Sequence, residues 1–492
     1  MMAGRTDNAK VRHTVEKIGG TSMADTDSVL RNIFVGERTG PELYNRVFVV
    51  SAYGGITDKL LEDKKTGEPG VHALFAGSES ESEWAWGDAI SEVSAEMRRI
   101  NAGIFGDGPD RYIADRFVRE RIEGVRSCLL DLHRLCSYGH FNLSEHLETV
   151  REMLAALGEA HSAHNTSLLL KQHGVNAVFV DLTGWRDESS LGLDERILKG
   201  LADLDYAAVL PVVTGYVQSP GGIIGKYGRG YSEVTLSRAA VLTKAREAVI
   251  HKEFHLSSAD PKLLGAGRVR KIDRTNYDVA DQLSNMGMEA IHPGAAKALR
   301  QADIPLRIRN TFDPGDEGSI IRGDYVSSEP RTEMITGMRS VFALEFFEQD
   351  MVGVKGFDAA ILDCLKRHRV RVVTKTSNAN TIVHYLAGSL KMVRRVSNEL
   401  KENFESAQVE VRKVAIVSAI GTDLNLGGLT AQAAAALSDA GVEVLGVHQL
   451  IRSVDIMFIV SEEDYEKAIV ALHARLVEGR KGSRKKPSRQ AA

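Results

Sequence analysis

The sequence is poor in cysteine, in aromatic residues and in long apolar runs, and each shortage excludes something. Three cysteines in 492 residues (Cys128, Cys136 and Cys364), none in a CxxC pair, rule out a disulfide framework and a zinc ribbon. Buried, reduced thiols are the expectation. No stretch approaches the roughly 18 consecutive apolar residues that a membrane span requires. The first residues carry Asp7 and Lys10 without an apolar core, unlike a signal peptide. A net charge of −4 offers no general attraction to nucleic acid or to an anionic membrane. With 43% hydrophobic and 26% charged residues, the composition is that of an ordinary globular chain with room for two or three domains. A soluble, cytoplasmic protein with neither nucleic-acid nor membrane partners is expected.

What is present begins at Val15-Glu16-Lys17-Ile18-Gly19-Gly20-Thr21-Ser22. It reads as a short strand carrying a lysine, a glycine pair, and hydroxyls suited to cap a helix. Free N–H groups at a helix start attract anions, and Lys17 adds a full charge. No Gly-Lys-Thr/Ser follows at Walker spacing, so this is not a P-loop. The apolar run 46–52 suits a strand buried on both faces, and Tyr53-Gly54-Gly55-Ile56-Thr57-Asp58 is a second glycine turn at its carboxyl end.

Residues 62–110 are polar and irregular, with the acidic run Glu79-Ser80-Glu81-Ser82-Glu83 beside Trp84 and Trp86, and read as a solvated loop, a contact with another subunit being the alternative. Helical spacing follows at Phe117, Ile122, Val125, Leu129 and Leu132, and again from Leu143 to Leu157. Further strands are expected at 176–181, 208–214, 248–251 and 306–308. The alternation predicts a three-layer α/β/α sandwich over 1–326, with 62–150 a mostly polar and helical excursion. Beyond a polar boundary near 327–336, two units repeat strand, helix, strand, strand, helix over 336–405 and 410–478, a ferredoxin-like pattern. Residues 479–492 read as a basic, disordered tail.

Lys-x-Gly-Gly-Thr-Ser at the first strand resembles the opening signature of aspartate kinases in the amino-acid kinase family, and later segments match in order over nearly the whole chain. The resemblance implies a kinase domain followed by tandem ACT domains, of which Gly421–Gly428 resembles an effector loop. It implies ATP with Mg²⁺, L-aspartate as substrate, a possible amino-acid effector, and a homodimer or larger homo-oligomer. The reaction would carry the ATP γ-phosphoryl group to the β-carboxylate of aspartate. A carboxylate is already ionised at neutral pH, so no general base is needed, and charge stabilisation is the main task.

Carried onto this sequence, Lys17, Gly19 and Gly20 are catalytic. Thr57, Glu159 and Arg186 bind substrate, Glu159 through the α-ammonium and Arg186 through a carboxylate. Lys17, Gly20, Thr21, Ser51, Arg229, Gly230, Ser232, His251, Lys252, Ser257, Lys262 and Glu289 bind ATP, with Ser232 capping a helix over 233–244. No protein metal ligands are implied; a His251–His255 pair falls in strand and loop, not on one helix face. Four segments depart from the family pattern, the first only mildly: Gly228-Arg229-Gly230-Tyr231-Ser232-Glu233 has tyrosine and glutamate where a glycine and an aspartate are expected. Arg186-Asp187-Glu188-Ser189 places a serine where an aspartate is expected, with Asp187 or Glu188 as the replacement. His251-Lys252 replaces a threonine–aspartate pair, and Glu289 replaces a lysine, which suggests an ion pair of reversed polarity. The segment from His251 to Pro261 is similar to that of the divergent aspartate kinases associated with ectoine synthesis. The alternatives are another amino-acid kinase, of glutamate type, and a non-catalytic ACT-based sensor.

Overall fold

Thr14–Ile18 becomes the central strand because its side chains are covered on both faces, and only Lys17 is partly open. The computed structural model describes residues 13–64, 66–77, 84–288 and 291–479. The acidic run 79–83, Glu289 and the basic tail from 480 lie outside these. The chain divides into two units, one of residues up to 255 with 291–323, the other of 256–290 with 324 onward. The units part between 323 and 324, and residues 256–290 group with the C-terminal unit.

In the first unit the strands are β1 (Thr14–Ile18), β2 (Arg46–Val50), β3 (Ala177–Val180), β4 (Leu210–Thr214), β5 (Glu247–Lys252), β6 (Leu306–Asn310) and β7 (Ser319–Arg322). They run in the order β3-β4-β2-β1-β5-β6-β7. All neighbours are parallel except β6 and β7. β2 and β4 are buried at every position, as near-continuous apolar strands between helical layers must be. β7 is the strand that the sequence reading omitted; four residues at an antiparallel edge leave little periodic signal.

The helix Leu147–Gln172 packs against β2, β3 and β4. Gly158 permits this, since a Cβ there would lie 2.8 Å from the Ala52 Cβ. The solvated loop expected over 62–110 is corrected: Val71–Ala76 and Ala85–Phe105 are helices. Trp86, Ile90, Val93 and Met97 bury one face of the second, while Trp84 stays exposed. The helix Pro109–Ser137 follows. The expectation of buried thiols holds for Cys364 but not for Cys128, which is exposed on that last helix.

The second unit carries β8 (Met334–Phe347), β9 (Arg371–Ser377), β10 (Thr381–Ala387), β11 (Gln408–Ile420), β12 (Gly446–Gln449) and β13 (Asp455–Val460). Both repeats are present, but they share one antiparallel sheet in the order β9-β10-β8-β11-β13-β12. The two long strands β8 and β11 pair from Phe347 opposite Gln408 to Met334 opposite Ile420. Helices cover the sheet with one hydrophobic cluster per repeat, around Leu344, Phe346 and Leu386 in the first and Val417, Phe458 and Leu472 in the second.

Candidate active site

The carboxyl ends of β1, β2, β4 and β5 meet at one edge of the first unit. Gly20 allows the turn after β1 to approach the one after β2, because a Cβ there would stand 2.7 Å from the Ala52 carbonyl oxygen. Gly55 takes a left-handed conformation at φ 82° and starts the helix Ile56–Leu60, which carries Thr57. Ser51 Oγ lies 3.1 Å from Ser232 Oγ, and Ser162 donates to the Ser51 carbonyl at 2.8 Å. Two glycine turns and the helices bearing Glu159 and Ser232 are thereby drawn together.

Two lysines face one acid across this edge. Lys17 Nζ is 3.9 Å and Lys252 Nζ 3.8 Å from the same Glu233 Oε1, each side chain close to nine-tenths buried. The shared carboxylate offsets repulsion between two ammonium groups that would otherwise oppose each other at short range. Glu233 also accepts the His292 backbone N–H at 2.6 Å. The sequence reading treated Glu233 only as a mild aspartate replacement and missed this bridging role; its spacing one residue beyond Ser232 was the available signal.

Glu159 is 2% exposed and its Oε2 has no hydrogen-bond partner. Burial pushes its carboxyl up to about 8, against the opposing pull of the Lys17 charge, the Tyr231 hydroxyl and the Tyr216 backbone N–H. The backbone of Gly215 abuts it: a Cβ there would lie 2.8 Å from Glu159 Oε2 and 2.6 Å from Ser232 Cβ. A carboxylate held this way can accept a donor from a bound cation, which would relieve both its desolvation and its unpaired oxygen.

Other expected residues fall elsewhere. His251 does not face Lys17: it is 4% exposed and its Nε2 lies 2.8 Å from Glu16 Oε2, on the opposite face of the sheet. Neighbours along a strand point to opposite faces, so His251 and Lys252 cannot serve one ligand on one side. Glu16 is drawn down to about 2 despite its burial, chiefly by the His251 hydrogen bond and the Arg46 charge. His251→Ala should therefore cost about 1–3 kcal/mol of stability while leaving the KM for ATP within about twofold of wild type. Thermal unfolding and initial-rate kinetics check this together.

Neither hydroxyl cap forms as expected. The helix Gly20–Ala24 starts at Gly19 without a side-chain cap, Thr21 is exposed, and Ser22 instead donates to Glu253 at 2.9 Å. The helix expected at 233–244 is Tyr231–Leu242, capped by Gly230, so Ser232 lies inside it and turns to Ser51. The Arg229 guanidinium pairs with Asp58 at 2.5 Å and donates to the Glu62 carbonyl at 2.5 Å. Gly230 fits against His292, whose Cδ2 a Cβ would meet at 2.6 Å.

Arg186 is exposed in a left-handed conformation, φ 54°, with its guanidinium 6.0 Å from the Trp185 ring centre. Asp187, considered as a substrate-side replacement, is committed to Arg196 at 2.9 Å and to the Ser189 N–H at 2.9 Å. Ser257 and Lys262 belong to the second unit, where Ser257 donates to the Ala259 carbonyl at 2.8 Å and Lys262 is exposed. The Lys252–Glu289 pair cannot be traced, because Glu289 lies outside the described residues; Lys252 faces Glu233.

A parallel sheet with a lysine and paired glycine turns at its carboxyl edge is the arrangement of a phosphoryl-handling enzyme, and the sequence model of the amino acid kinase family matches residues 12–310. An ACT-domain model matches 406–474. The chain belongs to the amino acid kinase family. Within that family its place is among the aspartate kinases. It is 52% identical to Aspartate kinase Ask_Ect of Stutzerimonas stutzeri (strain A1501), over 95% of this chain and 98% of that one. It is 27% identical to the aspartokinase of Candida albicans over 67% of this chain and 68% of that one. E. coli aspartokinase III, solved in complex with aspartate and ADP, shares the fold at a TM-score of 0.69 and 21% identity, covering 94% of this chain and 99% of that one.

Proposed function

We propose that this chain transfers the γ-phosphoryl group of ATP to the β-carboxylate of L-aspartate, giving 4-phospho-L-aspartate. The observation that carries the reading is the buried Glu159, with an unpartnered oxygen, sharing one site with Lys17. Glu159 receives the substrate α-ammonium, which supplies the donor its Oε2 lacks. Lys17 and Lys252 face the phosphate oxygens, where negative charge must be stabilised as the γ-phosphoryl group moves. One oxygen of the substrate carboxylate attacks phosphorus, the bond to the β,γ-bridging oxygen breaks, and ADP leaves. No side chain has to remove a proton.

Glu233 holds both lysines on this edge, its Oε1 3.9 Å from Lys17 Nζ and 3.8 Å from Lys252 Nζ. Mg²⁺, when bound with the nucleotide, supplies further screening of phosphate charge. The roles of Thr57, Arg186 and Ser51 in substrate and phosphate contact, and of Arg229, Gly230, Ser257 and Lys262 around ATP, belong to the same reading. So do a homo-oligomeric assembly and an amino-acid effector at the ACT units. The 52% relative and the segment from His251 to Pro261 support the ectoine-associated subgroup. A cytoplasmic location belongs to the same reading; among the described residues no helix is long and apolar enough to cross a membrane.

The test is a hydroxamate assay with ATP and either aspartate or glutamate, with ADP release followed in parallel. Aspartyl hydroxamate should form with aspartate, and glutamate should give a rate lower by about 100-fold or more, since the extra methylene misplaces the attacking oxygen. Equal rates would favour a glutamate-type kinase. No acyl phosphate with either would leave the non-catalytic sensor.

A further inference from the structure

The helices Phe357–Arg367 and Leu390–Asn403 cover the first repeat of the second unit. Ile361, Cys364 and Leu365 of the one share an apolar cluster with Val393, Val396 and Leu400 of the other. Cys364 and His368 are four positions apart, so they lie on one face at the C-terminal end of the first helix. That end carries the negative pole of the helix, which favours a cation beside it.

Glu399 meets them from the second helix, 31 positions beyond His368. One ligand atom from each of Cys364, His368 and Glu399 lies within 4.8 Å of the other two. His368 Nε2 is 2.6 Å from Glu399 Oε2, while the Arg367 guanidinium donates to Oε1. Cys364 is fully buried, and its Sγ also lies 3.9 Å from the Val396 carbonyl oxygen. The side chains of His368 and Glu399 are about a quarter exposed, 24% and 28%. The thiol thus forms the floor of the cluster, and the imidazole and the carboxylate form a rim that solvent reaches.

An ion pair joining the two helices needs Arg367, His368 and Glu399 but no thiol. A thiol, an imidazole and a carboxylate converging on one point are the donor set of a three-ligand zinc site with an open fourth position. Sulfur and nitrogen donors select against Mg²⁺ and Ca²⁺, which take oxygen ligands, and favour a borderline-soft divalent ion.

We propose that Cys364, His368 and Glu399 bind one Zn²⁺ ion, with water as the fourth ligand. An S–Zn bond forms as the Cys364 S–H bond breaks, the proton passes to solvent, and no electron is transferred. The ion takes the place of the direct His368–Glu399 hydrogen bond, and Arg367 stays on the other carboxylate oxygen. Bound metal would tie the two helices of this repeat together. The proposal stands apart from the kinase reading, since none of these residues belongs to the Lys17 site.

The test is optical titration with Co²⁺, a spectroscopic substitute for Zn²⁺, of the full chain carrying Cys128→Ser and Cys136→Ser, in which Cys364 is the sole thiol. A thiolate-to-cobalt charge-transfer band should grow until one ion is bound per chain, and Zn²⁺ should then bleach it. Co²⁺ affinity should fall by about tenfold or more in both His368→Gln and Glu399→Gln, since even an outer-shell partner of a metal is worth that much. His368 is partly exposed, so its variant keeps the test valid if Glu399→Gln misfolds; circular dichroism checks both. Absence of the band, or undiminished affinity in a folded His368→Gln, overturns the proposal. Loss in His368→Gln with full affinity in a folded Glu399→Gln overturns the three-ligand assignment.

Discussion

Lys17→Met should lower kcat for aspartyl-phosphate formation by about 10²–10³-fold, with the chain still folded and the KM for aspartate changed by much less. The size follows from the role: Lys17 brings a nearly buried charge to the edge where phosphate charge develops, and methionine keeps the bulk without the charge. Lys252, 3.8 Å from Glu233, is unaltered by the substitution, so the carboxylate should keep one ammonium and the site should not collapse for want of a counter-ion. Hydroxamate kinetics with circular dichroism as the folding control make the measurement. Acyl-phosphate production that continues undiminished would remove the basis of the proposed mechanism.

The second large effect concerns Glu159. In the free protein burial raises its carboxyl to about 8, so near neutral pH it is mostly protonated, and binding an ammonium requires it to release that proton. Aspartate affinity should therefore improve as pH rises from 6 to 8, by up to about tenfold per pH unit, and level off above. Glu159→Gln should abolish that dependence and raise the KM for aspartate by about 30-fold or more, the cost of leaving a buried cation unpaired.

The same shift has a consequence for stability. Between the ordinary carboxyl value of 4.5 and the folded value of about 8, the native chain holds a proton that the unfolded chain has released. The contribution is full below 4.5 and is lost as pH rises through 8. Glu159→Gln should thus lose less stability than wild type between pH 6 and pH 8, which denaturant unfolding at the two values would show. A KM for aspartate that is flat with pH in wild type would refute the assignment of Glu159.

Much of the fold was legible because it is written in periodicity. β2 and β4 are unbroken apolar runs bounded by glycine or by small residues, and both were placed within two residues. The repeat of strands and helices after residue 334 was equally plain. The helix Ala85–Phe105 was missed although Trp86, Ile90, Val93 and Met97 fall at helical spacing, because the neighbouring acidic run and the polar face between these positions obscured it. The fusion of the two repeats into one sheet was not legible, since nothing local in β8 or β11 names its partner.

By itself the sequence supplied candidates, through its resemblance to the aspartate kinases: Lys17 before paired glycines, Glu159 in the helix that follows Gly158, and Ser232 after Arg229 and Gly230. Motif order along the chain is enough to carry these candidates over, because it depends only on covalent sequence. Only the tertiary structure decided who faces whom. It turned His251 away to Glu16, set Glu233 between Lys17 and Lys252, and bound Arg229 to Asp58, because strand alternation and helix packing bring together groups separated by more than 200 positions, as with Lys17 and Glu233. The protonation of Glu159 was likewise beyond reach of the sequence, since a carboxyl takes its affinity for a proton from the depth of its burial and the charges around it, and both exist only once the chain is folded.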